Sequence, residues 1–108
     1  GDEALQHLTE VVRENLRPQD SVARYGGEEF VILLPDTVLD SAIATLVRLQ
    51  RALTKRFFLA QQQKLLITFS AGVSELKGSE EPEQAIDRAD KAMYIAKRSG
   101  KNRVLAAH

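Results

Sequence analysis

The sequence predicts an α+β layered domain, and three observations carry that expectation. Apolar residues recur at helical spacing in three separate stretches. Two short β-prone runs flank a Gly-Gly pair at hairpin spacing. Single β-prone runs then alternate with the later helical stretches, so the predicted order is α-β-β-α-β-α-β. Two successive strands sharing a two-residue turn exclude a doubly wound parallel fold.

The first helix is expected over Asp2–Leu16. Leu5, Leu8, Val12 and Leu16 form its stripe, and Asp2 can cap it or meet the dipole in its first turn. Arg17-Pro18 ends it, because a residue before proline is pushed out of the α region. Ser21–Tyr25 and Glu29–Leu34 read as strands joined through Gly26-Gly27. Pro35-Asp36-Thr37 stops the second strand. A helix over Leu39–Arg56 follows, with Ala42, Ile43, Leu46, Val47, Leu49 and Leu53 inward and Arg48, Gln50 and Arg51 outward.

Gln61-Gln62-Gln63 reads as a polar connection, and Leu65–Val73 as one long strand bent at Gly72. Pro82 suits the first turn of a helix whose stripe is Ile86, Ala89, Met93 and Ala96. Gly100 falls at its C′ position. Arg103–Ala106 is a last strand. The hairpin and Leu65–Val73 are expected in one sheet, covered by the first two helices.

The 108 residues allow one domain. Lys+Arg 15 against Asp+Glu 15 removes the electrostatic argument for a nucleic-acid or anionic-membrane binder. With no cysteine there is no disulfide framework, thiolate nucleophile or thiolate zinc site. His7 and His108 are the only imidazoles, which argues against a histidine metal site or a Ser-His-Asp triad. Apolar runs reach about five residues, against the ~20 of a membrane span, and no signal-peptide pattern is visible. The chain opens Gly1-Asp2-Glu3-Ala4-Leu5 without Met, as if inside a domain.

Chemistry concentrates in three segments. In Arg24-Tyr25-Gly26-Gly27-Glu28-Glu29-Phe30, two glycines allow positive φ and close approach of a phosphate. Glu28 and Glu29 point to opposite strand faces, so only one meets a given ligand, and its oxygens suit Mg²⁺ carrying a nucleoside triphosphate. Read alone, the segment is more often a plain hairpin with solvated acids. Lys97 and Lys101 stand four apart across a helix end and can converge on one anion, or simply complement the helix C-terminus. Arg17-Pro18-Gln19-Asp20, read alone, is a surface ion pair worth little.

Together these segments resemble the GGDEF domain of diguanylate cyclases, with Gly-Gly-Glu-Glu-Phe at Gly26–Phe30. The resemblance also covers Gly-Asp-Glu-Ala-Leu at the start, Leu-Pro-Asp-Thr after the hairpin and Ser70-Ala71-Gly72-Val73. It continues through Ala89-Asp90-Lys91-Ala92-Met93-Tyr94-Ile95-Ala96-Lys97 and Gly100-Lys101-Asn102.

It implies a nucleotidyl-cyclase, palm-like layered domain: a mainly antiparallel sheet covered by helices. The family joins two GTP into cyclic di-GMP with release of two pyrophosphates, across a dimer of two such domains, with two Mg²⁺ per GTP. By resemblance, Gly26 and Gly27 would lie against the nucleotide, Glu28 would ligate Mg²⁺, and Glu29 would support the catalytic site or handle a proton. Lys97 and Lys101 would bind the β- and γ-phosphates, and Asp2 the guanine edge. Arg17 and Asp20 match the family's product-inhibition motif, and Arg48 the arginine that a second subunit adds in some members. The resemblance further implies a cytoplasmic domain of a parent that a membrane sensor can carry.

The family also places a strand with an Asp metal ligand, then a helix and a guanine-reading Asn, ahead of its Gly-Asp pair. Residues 1–108 therefore read as a partial, N-terminally truncated GGDEF domain lacking one metal ligand. The missing strand belongs centrally, between the hairpin and Leu65–Val73, so either a longer chain or a partner is expected to fill that place. Two further readings stand beside the cyclase: a non-catalytic cyclic di-GMP-binding fragment or receptor, and a dimerising structural fragment.

Overall fold

The computed structural model describes residues 2–26 and 29–108, with the backbone alone at Asp2. Helix α1 spans Asp2–Asn15 and buries Val11 and Val12. It stops one residue short of the expected Leu16 and three before Pro18, which begins a turn closed by the Asp20 N–H donating to the Arg17 carbonyl at 3.0 Å. Strands β1 (Ser21–Gly26) and β2 (Glu29–Leu33) form an antiparallel hairpin, Ser21 opposite Leu33 and Arg24 opposite Phe30. The register slips between Arg24 and Gly26, so Gly26 faces Glu29.

Helix α2, Leu39–Thr54, buries Ala42, Leu46, Leu49 and Leu53. Val38 offers its N-terminus no side-chain cap. The Glu75 carboxylate, 36 residues away, accepts from the Leu39 N–H at 3.1 Å instead. That supplies the acceptor that an uncapped helix start lacks and places a negative charge at the positive dipole end.

Two expectations for the segment between α2 and α3 need correction. The glutamines after α2 are not a plain connection: β3 (Phe58–Ala60) and β4 (Gln63–Leu65) pair antiparallel around them. Gln61 and Gln62 both adopt positive φ, 53° and 68°, as the preferred two-residue hairpin turn requires. The long strand also breaks up. Leu65 ends β4, and only β5 (Ala71–Val73) continues as strand. Residues 66–70 have no ladder partner among the described residues, and a strand exists only by pairing its backbone groups.

Helix α3, Pro82–Arg98, starts with proline in its first turn and with the Gln84 side chain accepting from the Glu81 N–H at 2.9 Å. Its C-terminus closes with the Lys101 N–H donating to the Ala96 carbonyl at 3.1 Å around Gly100, φ 122°. This 6→1 bond over a glycine C′ confirms the expected cap. Strand β6 (Val104–Ala106) pairs with β5 in parallel.

The hairpin β1–β2 and the pair β5–β6 do not join as one sheet. The described residues form three two-stranded sheets, and no described segment bridges β2 to β5. They share a core instead: Val12, Ala42, Leu46, Leu49 and Val73 pack together, with Val22 and Ile32 against them from the hairpin.

Candidate functional site

Two residues of the signature are described: Gly26 ends β1 and Glu29 begins β2. Gly27 and Glu28 lie outside the described residues, as does the side chain of Asp2. Among the described residues, nothing lies within 4 Å of a Cβ built on Gly26. Glu29 opens β2 opposite Gly26 and is half-buried.

The second group sits at the end of α3. Lys97 is in its last turn; Lys101 follows the glycine cap at φ 61°. Both side chains are exposed, and neither forms an ion pair among the described residues. The loop carrying Lys101 is fixed from two sides. Gln50 of α2 donates to the Asn102 carbonyl at 2.6 Å and to its side-chain oxygen at 3.0 Å, and the Asn102 N–H donates to Ser70 Oγ at 3.1 Å. Sequence reading placed Gln50 only on the outer face of α2; no spacing signal connects it to Asn102.

The third group surrounds the end of α1. Arg17 donates through Nε and Nη2 to both carboxylate oxygens of Asp20, at 2.8 to 3.2 Å, and its own N–H reaches Oδ2 at 2.8 Å. The Arg17 guanidinium holds the Asp20 carboxyl below the usual carboxylate range. The Asp20 side chain is 2% exposed and that of Arg17 45%, so the arginine forms the outer surface. A shallow depression of about 290 Å³ lies beside the pair, walled by Arg13, Leu16 and Val22. Arg48 Nη2 donates to the Asn15 carbonyl at 2.9 Å, which brings this α2 residue to the same end of α1.

No group of three His, Cys, Asp or Glu side chains able to hold a metal ion occurs among the described residues. Glu29 supplies oxygen of the kind Mg²⁺ prefers, but the described side chains do not by themselves form a metal centre.

The chain matches the family described as "Diguanylate cyclase, GGDEF domain" over residues 1–103. It is 42% identical over 107 residues to the diguanylate cyclase DgcP of Pseudomonas aeruginosa, covering 99% of this chain and 16% of that protein. Among solved structures, the GGDEF domain of DgcB from Caulobacter crescentus, in complex with c-di-GMP, superposes with a TM-score of 0.90 at 32% identity. That match covers 98% of this chain and 64% of the other. The active GGEEF domain of a diguanylate cyclase from Vibrio cholerae superposes with a TM-score of 0.85 at 29% identity, over 99% of this chain and 68% of the other. The signature hairpin, the fold around it and a match over residues 1–103 agree, and the chain belongs to the GGDEF family of diguanylate cyclases.

Proposed function

We propose that this chain is the GTP-handling part of a diguanylate cyclase that condenses two GTP into cyclic di-GMP, as a dimer of two such domains. The observation that carries the reading is Gly-Gly-Glu-Glu-Phe at Gly26–Phe30, with Gly26 at the end of β1 opposite Glu29 at the start of β2. In each half-reaction a ribose 3′-oxygen attacks the α-phosphorus of the opposing GTP, the P–O bond to pyrophosphate breaks, and the hydroxyl proton leaves. Two such steps close the ring and release two pyrophosphates.

Gly26 and Gly27 would let the nucleotide lie against the backbone. Glu28 would meet the Mg²⁺ that accompanies the triphosphate, a hard cation matched to carboxylate oxygen. Glu29, beside it, would orient or take up the hydroxyl proton. Lys97 and Lys101, exposed and without ion-pair partners among the described residues, would offset the charge of the departing pyrophosphate. Asp2 would accept from the guanine edge. The test is Glu28→Gln in the full-length protein, which keeps shape and removes charge. Cyclic di-GMP synthesis should fall by at least about a hundredfold, in the range seen when an electrostatic catalytic group is removed. Near-wild-type synthesis would sink the assignment.

A second reading, product binding without turnover, draws on the Arg17, Asp20 and Arg48 group. Arg17 would stack on guanine or bind phosphate with its planar fork. Asp20 is enclosed by Arg17, so a guanine that used its carboxylate would have to share it with Arg17 or draw it out of that pair.

A further inference from the structure

Arg17 is held by more than Asp20. One of its two Nη2 hydrogens goes to Asp20, and the other is shared between the Pro35 carbonyl and Thr37 Oγ1, both at 2.9 Å. The Thr37 hydroxyl in turn donates to the Pro35 carbonyl at 2.9 Å. That bond commits the hydroxyl hydrogen and leaves the oxygen lone pairs for the guanidinium. The turn between β2 and α2, with Asp36 at φ 51°, thus holds one edge of Arg17 from a distance of 20 residues. Nη1 makes no hydrogen bond among the described residues, and the side chain is 45% exposed.

We propose that Thr37 is a positioning residue of the product site: its hydroxyl, oriented by the Pro35 carbonyl, fixes Nη2 of Arg17 and so presents the Nη1 edge to the guanine or phosphate of cyclic di-GMP. The inference rests on the product-binding reading above. A guanidinium held on one edge loses less rotamer freedom when the other edge binds, which is the advantage of a preorganised site. A threonine that only stabilised its own turn would need the Pro35 bond alone; the Arg17 bond is the additional one.

The test measures cyclic di-GMP affinity by calorimetry in the full-length protein, for wild type, Arg17→Ala, Thr37→Val and Thr37→Ser. Thr37→Ala serves if the valine variant does not fold. Asp20 titration, followed by carbonyl-carbon NMR without ligand, is the second readout. Arg17→Ala should weaken binding at least about tenfold. Thr37→Val should weaken it about three- to tenfold, as expected for one bond to a charged donor at a half-exposed site. Thr37→Ser should stay within about twofold of wild type. The Asp20 midpoint should rise in Thr37→Val toward the ordinary carboxylate value, and rise further in Arg17→Ala. Thr37→Val binding like wild type, or Thr37→Ser as weak as Thr37→Val, overturns the role of the hydroxyl while Arg17→Ala still shows the site. An Asp20 midpoint that does not move in Thr37→Val also overturns it. No binding by wild type, or equal binding by Arg17→Ala, overturns the product site, and the inference with it.

Discussion

Gly72 is where β5 and α3 touch backbone to backbone. A Cβ added there would stand 1.8 Å from the Ala89 carbonyl oxygen, 2.5 Å from the Met93 nitrogen and 2.9 Å from the Ala89 carbonyl carbon. None of these is a side-chain end that can swing away. Restoring a contact of 3.4 Å to the carbonyl oxygen requires strand and helix to part by about 1.6 Å. Gly72 is not among the glycines with positive φ, so close approach and not turn geometry selects glycine. Gly72→Ala should therefore cost at the upper end of the ~1–3 kcal/mol typical of overpacking, or beyond it. At ~4–8 °C per kcal/mol for a domain of this size, the melting midpoint should drop by roughly 10–25 °C. Differential scanning calorimetry with circular dichroism reads this directly. Because α3 carries Lys97, the variant should also bind GTP more weakly while still folded. A midpoint within about 3 °C of wild type would refute the reasoning, since a close-packed backbone contact cannot absorb a methyl group for so little.

Two further predictions concern stability. The Glu80 carboxyl is held below its ordinary value of 4.5, chiefly by the Arg88 side chain at 2.7 and 3.0 Å and then by the Lys77 N–H. Its folded-state pKa lies below its unfolded one, so its contribution is complete above about pH 4.5 and fades as pH falls through the folded value. The gap in melting midpoint between wild type and Glu80→Gln should accordingly be constant from pH 7 to about 5 and narrow below that; parallel curves down to pH 3 would contradict it. Gln61-Gln62 occupy a turn that favours Asn-Gly, so replacing the pair with Asn-Gly should raise the midpoint by a few degrees, about 0.5–1 kcal/mol. An unchanged or lower midpoint would show that the β3–β4 turn is not limiting.

Those glutamines also show where sequence reading ends. The three helices were legible because their boundaries are local: Pro18 follows α1, Pro82 starts α3 and Gly100 closes it, although α3 buries Ala85, Ala92 and Ala96 while the expected Ile86, Ala89 and Met93 are only half-buried. The β1–β2 hairpin was legible from Gly26-Gly27. The β3–β4 hairpin was not, because glutamines carry no turn signal and their positive φ is imposed by the strands on either side. The run from Leu65 to Val73 has the composition of one strand, yet pairing, which composition does not encode, divides it. Within the candidate site, Arg17 with Asp20 is three residues apart and readable. Thr37 on Arg17, Gln50 on Asn102 and Glu75 on Leu39 are separated by 20, 52 and 36 residues, and only the folded chain brings them together.

The most direct test of the cyclase reading is the stoichiometry of GTP turnover by the full-length protein with Mg²⁺. Nucleotides are separated by chromatography and pyrophosphate is counted by a coupled assay. Cyclic di-GMP is the expected product, with two pyrophosphates released per molecule formed. Tight binding of cyclic di-GMP with no pyrophosphate release from GTP would contradict it and leave the receptor reading in its place.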